Sequence, residues 1–242
     1  MPLTLYSPNS QETELAFQKQ PSARQIRKNS LQAQWDRYWK NPIPATLLKI
    51  QRRQWMFSLL KSCCFHGKGL VIGCEDGSLM EPLVAMGMTV DGCDSSKVAL
   101  ELAKKRDASQ GQSQLFHECF PFTRLRSHSY EAVYLLELIA DIEPSLHRIG
   151  VSELARICHK QGYVILSTAL NRKSPDALDH LLRILQTEFD IVDLHLRYDH
   201  LDAILEKLAS YLALASKLMN RFFYKGKRAG YALVICKPRP FH

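Results

Sequence analysis

From Gly67 onward, short apolar β-like runs alternate with helical stretches of nine to fifteen residues, and this alternation constrains the fold more than any other feature of the chain. The strand-like runs are Leu70–Gly73, Met88–Cys93, Gln114–Glu118, Ala132–Leu136, Tyr163–Ser167, Phe189–Leu196 and Tyr231–Cys236. Helical patterns lie between most of them, near Ser78–Met86, Ser96–Arg106, Ser145–His159 and Pro175–Thr187. Strands spaced by single helices make βαβ units, whose right-handed crossovers build a parallel sheet covered on both faces. The expectation is an α/β, doubly wound domain with its ligand crevice at the carboxyl ends of the strands.

The flanks differ from this centre. Residues 1–30 are rich in Ser, Gln, Pro and Lys/Arg and read as a flexible basic arm or one poorly anchored helix. Residues 31–66 form a helical segment, with Leu31, Trp35, Tyr38 and Trp39 at helical spacing, a break at Asn41-Pro42, and a second apolar face through Leu59 and Leu60. The main domain then spans 67–242. Within it, residues 198–229 are an amphipathic insertion carrying Leu201, Ile204, Leu205, Leu208 and Leu212, set to lie over the ligand face as a lid or to complete the core.

Composition excludes several classes. At 242 residues and 46% apolar, the chain has mass for a real core. No run of about 18 apolar residues exists, so no membrane span is expected. Seven scattered cysteines without a CxxC pair suggest reduced thiols and a cytoplasmic setting. The net charge of +8 is concentrated at the ends: nine Lys/Arg against three acids in residues 1–60, and eight against two in 200–242. Such flanks either solvate exposed helices or form a basic rim able to contact RNA.

The first strand runs into Val71-Ile72-Gly73-Cys74-Glu75-Asp76-Gly77-Ser78, a strand–turn–helix passage of the kind in which backbone approaches a nucleotide-like ligand. A dinucleotide would need glycines where Glu75 and Ser78 stand, and it would meet two carboxylates, Glu75 and Asp76, at its pyrophosphate. S-adenosylmethionine carries an ammonium and a sulfonium and no phosphate, so an acidic loop suits it. The second strand ends at Asp94, 21 residues after Gly73, where a carboxylate can accept hydrogen bonds from both ribose hydroxyls. Capping the next helix is the other use of Asp94 or Ser95.

These residues, with Leu135-Leu136-Glu137-Leu138-Ile139 and Gly162-Tyr163-Val164-Ile165-Leu166-Ser167-Thr168, resemble a class I S-adenosylmethionine-dependent methyltransferase over about Gly67 to Thr187. The chain is most similar to the small-molecule branch that includes quinone-biosynthesis O-methyltransferases, whose fifth strand often ends like Ser167–Asn171. The resemblance implies a Rossmann-like seven-stranded sheet, mostly parallel with an antiparallel last strand. It further implies that Gly73 and Gly77 lie against the methionine part of the cofactor, that Asp94 holds the ribose, and that Cys74 and Ser95 are among the cofactor-binding residues. Glu118 and Cys119 would border adenine, Glu137 and Leu138 would flank the sulfonium, and Arg53 would reach the cofactor carboxylate. Val71 stands where the family usually has an acid, and Glu75 where it has its middle glycine.

Methyl transfer is an in-line displacement that needs alignment, exclusion of water and, for some acceptors, a base. Asp141, just past the fourth strand, is the candidate catalytic residue. His117, His128 and His147 are isolated, and no grouping has metal-ligand spacing, so no metal is expected. The expected function is methyl transfer to a small-molecule acceptor. The alternatives are an RNA methyltransferase using the basic flanks, or an inactive methyltransferase-like binding module. No oligomeric state follows from the sequence.

Overall fold

The structure, a computed structural model, describes residues 23–63, 65–107, 113–170, 177–197 and 229–239. Two helices, α1 (Ala23–Lys40) and α2 (Leu47–Ser62), precede β1 (Lys68–Ile72), α3 (Glu81–Ala85), β2 (Thr89–Asp94), α4 (Lys97–Asp107) and β3 (Leu115–His117). Then follow β4 (Tyr130–Leu136), two short 3₁₀ turns (Ile139–Asp141, Pro144–Leu146), α5 (His147–Ile157), β5 (Cys158–Ala169), α6 (Ala177–Leu185), β6 (Phe189–Arg197) and β7 (Tyr231–Pro238).

The seven strands form one sheet in the order β3-β2-β1-β4-β5-β7-β6. β1 pairs in parallel with both β2 and β4, and β4 with β5, while β7 runs antiparallel between β5 and β6. This is the expected doubly wound, mostly parallel sheet with an antiparallel last strand.

The central strands are apolar on both faces because both faces are covered. Leu70, Ile72, Val133, Leu135, Val164 and Leu166 pack with Val151, Leu154, Ile157, Leu181 and Leu185 from α5 and α6. Their chain neighbours Val71, Ala132, Tyr134, Leu136 and Ile165 face the other way, against Met56 and Leu60 of α2 and Leu83 of α3. At about 25 cal/mol per Å² of apolar surface removed from water, these two layers supply the main driving force of the fold. Asp91 is 1% exposed within β2, yet Tyr130 Oη, Lys68 Nζ and the Gln114 amide all reach its carboxylate. A buried charge without those partners would cost several kcal/mol.

Some boundaries moved. Helix α3 has five residues rather than the nine expected from Ser78, since the Asp76 carboxylate takes the Ser78 amide into a turn and Pro82 occupies the first helical turn. Strand β5 begins at Cys158, where α5 passes directly into it, with a register irregularity opposite Tyr130 and Ala132. Helix α1 begins at Ala23, inside the segment expected to be a flexible arm or one poorly anchored helix. The expected insertion at 198–229 lies outside the described residues except for Ala229. Its two flanks meet at the carboxyl edge of the sheet, where the Gly230 amide donates to the Arg197 carbonyl at 2.8 Å.

The sheet order places the crevice. The helix after β1 lies on one face and the helix after β4 on the other, so the chain departs in opposite directions from two neighbouring strands. The gap at their carboxyl ends is where open α/β sheets hold ligands.

Candidate active site

A cleft of about 530 Å³ opens at that point. Its floor is the ends of β1, β2 and β4, one wall is Glu118 to Phe122 after β3, and its roof is Trp35, Tyr38 and Trp39 of α1. Lys49 of α2 closes one side, and Asp141, Ile142, Glu143 and Leu146 form the rim after β4.

The loop after β1 curls over β2. The Gly73 and Cys74 amides both donate to the Cys93 carbonyl, at 2.8 and 3.0 Å. Gly73 has φ +72, and a Cβ there would stand 3.1 Å from Leu138, so glycine suits both the turn and the close approach. Gly92, beneath the loop, lets Cys74 and Met80 sit where its own Cβ would be, within 2.9 Å of both sulfurs.

Asp94 is 9% exposed at the cleft floor. Its Oδ2 accepts the Glu75 amide at 3.1 Å and its Oδ1 the Ser96 amide at 2.8 Å. Each carboxylate oxygen has a second lone pair, so each can accept one further donor. Burial, reinforced by the nearby Glu75 carboxylate and opposed by the amide hydrogen bonds, pushes the Asp94 carboxyl up to about 6. The helix cap proper is Ser96, whose Oγ accepts the Ala99 amide. Asp36 of α1 adds to it, accepting Ser96 Oγ at 2.6 Å and the Val98 amide at 3.2 Å. Thus α1, with its aromatic roof, is fastened to the residues just past Asp94.

Two cleft carboxylates sit on left-handed backbone: Glu75 at φ +56 and Glu137 at φ +61. A non-glycine residue there costs roughly 1–2 kcal/mol, and surrounding contacts must hold it. Arg53 does so for both, donating Nη2 to each Glu75 oxygen at 2.9 Å and Nε to Glu137 Oε2 at 3.1 Å. Lys49 Nζ adds weaker pairs to Glu75 at 3.4 Å and Glu137 at 3.8 Å. The Glu137 amide donates to both the carbonyl and the Oγ of Ser167, and Tyr231 Oη donates to the same Oγ at 2.7 Å.

Of the residues singled out in the sequence, Gly73, Asp94, Ser95, Glu118, Cys119, Glu137, Leu138 and Asp141 line the cleft. Three do not. Cys74 is fully buried under the loop, with its thiol pushed well up by burial. Gly77, at φ +85, faces α4, where a Cβ would stand 3.3 Å from the Ala103 α-carbon. Arg53 stands behind Glu75 and Glu137. The expected pair of loop carboxylates also splits: Glu75 faces the cleft, whereas Asp76 turns outward to Arg106 Nη2 at 2.6 Å. His117, His128 and His147 each bond a backbone carbonyl, of Ser95, Cys158 and Ile142 respectively. No metal-binding group of His, Cys, Asp or Glu occurs among the described residues. None of their helices is long and apolar enough to cross a membrane.

The sequence reading did not place Lys49 or Phe120-Pro121-Phe122 in the lining. The Phe-Pro-Phe run directly after Glu118-Cys119 was the available signal for the last of these.

Asp141 is at the rim, open to solvent on one side. Partial desolvation raises its carboxyl above the ordinary value; Lys49 pulls the other way, and Glu137 and Glu75 add to the rise. Glu118 is buried, and its Oε1 accepts Arg124 Nε at 2.9 Å. The lining thus holds six carboxylates (Glu75, Asp94, Glu118, Glu137, Asp141, Glu143) and one ammonium, Lys49. Such a cleft favours cationic and neutral ligands and repels phosphates.

Comparison with known proteins gives this cleft its setting. Residues 70–166 match the family model described as a methyltransferase domain. The chain is 26% identical over 154 residues to the mitochondrial ubiquinone biosynthesis O-methyltransferase of Schizosaccharomyces pombe, an alignment covering 60% of this chain and 55% of the relative. The chain therefore spans little more than half the length of that curated relative. Among solved structures, the N-methyltransferase NodS from Bradyrhizobium japonicum, crystallised with S-adenosyl-L-homocysteine, superposes with a TM-score of 0.62 at 12% identity, covering 87% of this chain and 98% of that one. Geranyl diphosphate C-methyltransferase from Streptomyces coelicolor, crystallised with Mg²⁺, geranyl diphosphate and S-adenosyl-L-homocysteine, also gives 0.62, at 13% identity over 86% and 98%. Residues 70–166 are a methyltransferase domain, and the sheet built around them has the class I S-adenosylmethionine-dependent methyltransferase fold.

Proposed function

We propose that this chain is an S-adenosylmethionine-dependent methyltransferase acting on a small, uncharged or cationic acceptor with an apolar, planar part. The observation that carries the reading is Asp94. It is a buried carboxylate at the tip of β2, held by two backbone amides, with acceptor capacity directed into an acidic cleft.

The residues present fit the cofactor. Asp94 would take the ribose hydroxyls, Glu118 and Cys119 the adenine edge, and Gly73 with Glu137 and Leu138 the sulfur-bearing chain. The volume lies within the range of about 300–1,000 Å³ common for small-molecule sites. When bound, S-adenosylmethionine supplies a methyl group already activated by its sulfonium. The protein's share is alignment and exclusion of water. Trp35, Tyr38 and Trp39 roof the cleft, with Trp35–Tyr38 and Tyr38–Trp39 ring centroids 5.9 and 5.2 Å apart and near perpendicular. Such rings present faces to a flat acceptor or a cation. Asp141, at the rim with a raised pKa, would orient the acceptor and take its proton.

The acidic lining supports a small acceptor over an RNA strand, whose phosphates it would repel. The test is calorimetry with S-adenosylhomocysteine, followed by turnover assays on matched acceptors: a phenol, an amine and a phosphorylated analogue of the same skeleton. Binding with turnover of the neutral or cationic acceptors is expected. Absence of heat at high ligand concentration would refute the cofactor assignment, and preference for the phosphorylated acceptor would refute the acceptor class.

A further inference from the structure

Gly150 is buried inside helix α5, and it is not among the glycines with positive φ, so conformational freedom does not explain it. Glycine is also a poorer helix former than alanine, because it gives up more backbone entropy. Space explains it. A Cβ at 150 would stand 3.0 Å from Phe120 Cε1 and 3.1 Å from Phe120 Cζ. Carbon atoms rest against each other at roughly 3.5–4.0 Å. The edge of the Phe120 ring therefore occupies the notch that the missing side chain leaves.

Phe120 also lines the cleft, so it stands between α5 and the ligand space, in the apolar layer that holds Val151 and Leu154. The main chain around it is fastened, and largely to α5 itself. The Phe122 amide donates to the Cys119 carbonyl at 2.8 Å, and the Thr123 amide and hydroxyl both donate to Glu153 Oε1 of α5. Arg156 Nη1, one turn further along α5, donates to the Leu125 carbonyl at 2.7 Å. With the backbone held to the helix, the ring is the part that yields, and the cavity is the open space beside it. Bringing a Cβ at 150 to ordinary contact would displace the ring by roughly 0.5–1 Å toward the cleft.

We propose that Gly150 sets the width of the cleft from behind: the residue at 150 decides how far the Phe120 ring projects into the cavity, and so how bulky a group the wall after β3 accepts. Glycine gives the widest setting. Gly150 is a positioning residue that acts through Phe120 and does not itself line the cleft. A displacement on this scale matters, because a binding or reacting group has to be held within about 0.5 Å, and a misplacement of about 1 Å can cost about a hundredfold. The proposal goes beyond the function proposed above and rests on it for the ligand used as probe.

The experiment is a double-mutant cycle on the full chain, read by S-adenosylhomocysteine calorimetry and by urea unfolding. Its members are the wild type, Gly150→Val, Phe120→Leu and the two substitutions combined; leucine at 120 removes the ring edge that fills the notch. Gly150→Val should bind S-adenosylhomocysteine at least roughly tenfold more weakly. The combined variant should return to within about threefold of Phe120→Leu alone, and its urea midpoint should recover most of what Gly150→Val loses. Binding by Gly150→Val equal to that of the wild type overturns the proposal. So does a combined variant as weak as Gly150→Val, since the loss would then not pass through the ring. Should Gly150→Val fail to fold, Gly150→Ala carries the same comparison, with an expected loss of about two- to fivefold that Phe120→Leu abolishes. Alanine also separates the two readings: it favours the helix, so a merely structural role would leave binding intact or improved. If the wild type does not bind S-adenosylhomocysteine, the proposed function fails. The notch is then read from the urea midpoints alone, where coupling between positions 120 and 150 supports it and additivity overturns it.

Discussion

The carboxyl of Asp94 is pushed from the ordinary 3.8 up to about 6, chiefly by burial. At about 1.4 kcal/mol per pH unit, keeping it ionised costs the folded, ligand-free protein about 3 kcal/mol relative to the unfolded chain. Between pH 4 and 6 the folded state binds a proton that the unfolded state has released. Asp94 therefore contributes stability that is fully present below pH 4 and is lost as pH rises through 6. Asp36, Asp76 and Glu153, held below their ordinary values by hydrogen bonds that outweigh desolvation, act in the opposite direction as the solution is acidified. Comparison with Asp94→Asn removes their contribution. The variant introduces an amide that meets one backbone N–H unfavourably, but that penalty does not depend on pH. In urea unfolding from pH 7.5 to 3.5, the free-energy difference, wild type minus variant, should rise by about 3 kcal/mol in favour of the wild type, mostly between pH 6 and 4. Ligand binding should show the reverse preference. Ribose hydroxyls donate to the ionised form, so S-adenosylhomocysteine affinity should weaken below pH 6, by at most about tenfold per pH unit. A difference that is flat across this range, or that turns against the wild type on acidification, would show that Asp94 is not a desolvated carboxylate and would remove the physical basis for its role.

The remaining predictions concern what surrounds it. Asp36→Ala removes an acceptor from Ser96 Oγ and the Val98 amide and should cost about 0.5–2 kcal/mol in thermal or urea unfolding. It should also weaken S-adenosylhomocysteine binding by loosening the aromatic roof; unchanged stability would refute the fastening role of α1. Ser167→Ala leaves the buried Tyr231 hydroxyl without its 2.7 Å acceptor and the Glu137 amide with one acceptor instead of two, so a loss of about 1–3 kcal/mol is expected by chemical denaturation. Asp141→Asn should lower turnover at least about tenfold and remove an acidic limb from the pH–rate profile, while S-adenosylhomocysteine affinity changes less than about twofold. A turnover unchanged in both size and pH dependence would exclude Asp141 as the base.

The fold was legible because its signal is distributed. Seven apolar runs separated by helical periods leave few alternatives, and each strand expected from the sequence is present within a few residues of its expected ends. What was misjudged was local and competitive. Helix α3 shrank because the Asp76 carboxylate and Pro82 direct the chain before it into turns, a contest that periodicity does not register. Helix α1 starts within a stretch whose composition resembles a solvated arm, and part of its hold on the domain is one polar contact, Asp36 to the start of α4, across 60 positions of sequence. No local pattern encodes a partner at that distance.

For the site, positions on the main chain were easier to read than directions of side chains. The cleft had to lie after β1, β2 and β4, and Gly73, Asp94 and Glu137 are there. Spacing alone could not say that Glu75 turns inward and Asp76 outward, since both follow the same strand; Arg53 on one side and Arg106 on the other separate them. Nor could it say that Arg53 bonds both left-handed carboxylates, Glu75 and Glu137. This bears on whether the altered loop still forms a site. Replacing a glycine by glutamate at a left-handed position costs roughly 1–2 kcal/mol of backbone energy, and a partly buried, charge-assisted contact from Arg53 Nη2 to both carboxylate oxygens is of sufficient strength to offset it. Had Glu75 pointed into solvent, the same substitution would have left a strained turn with nothing to hold it. Its carboxylate is instead tied to Arg53 and turned toward the cleft, so the departure from the glycine pattern is compatible with an intact binding corner.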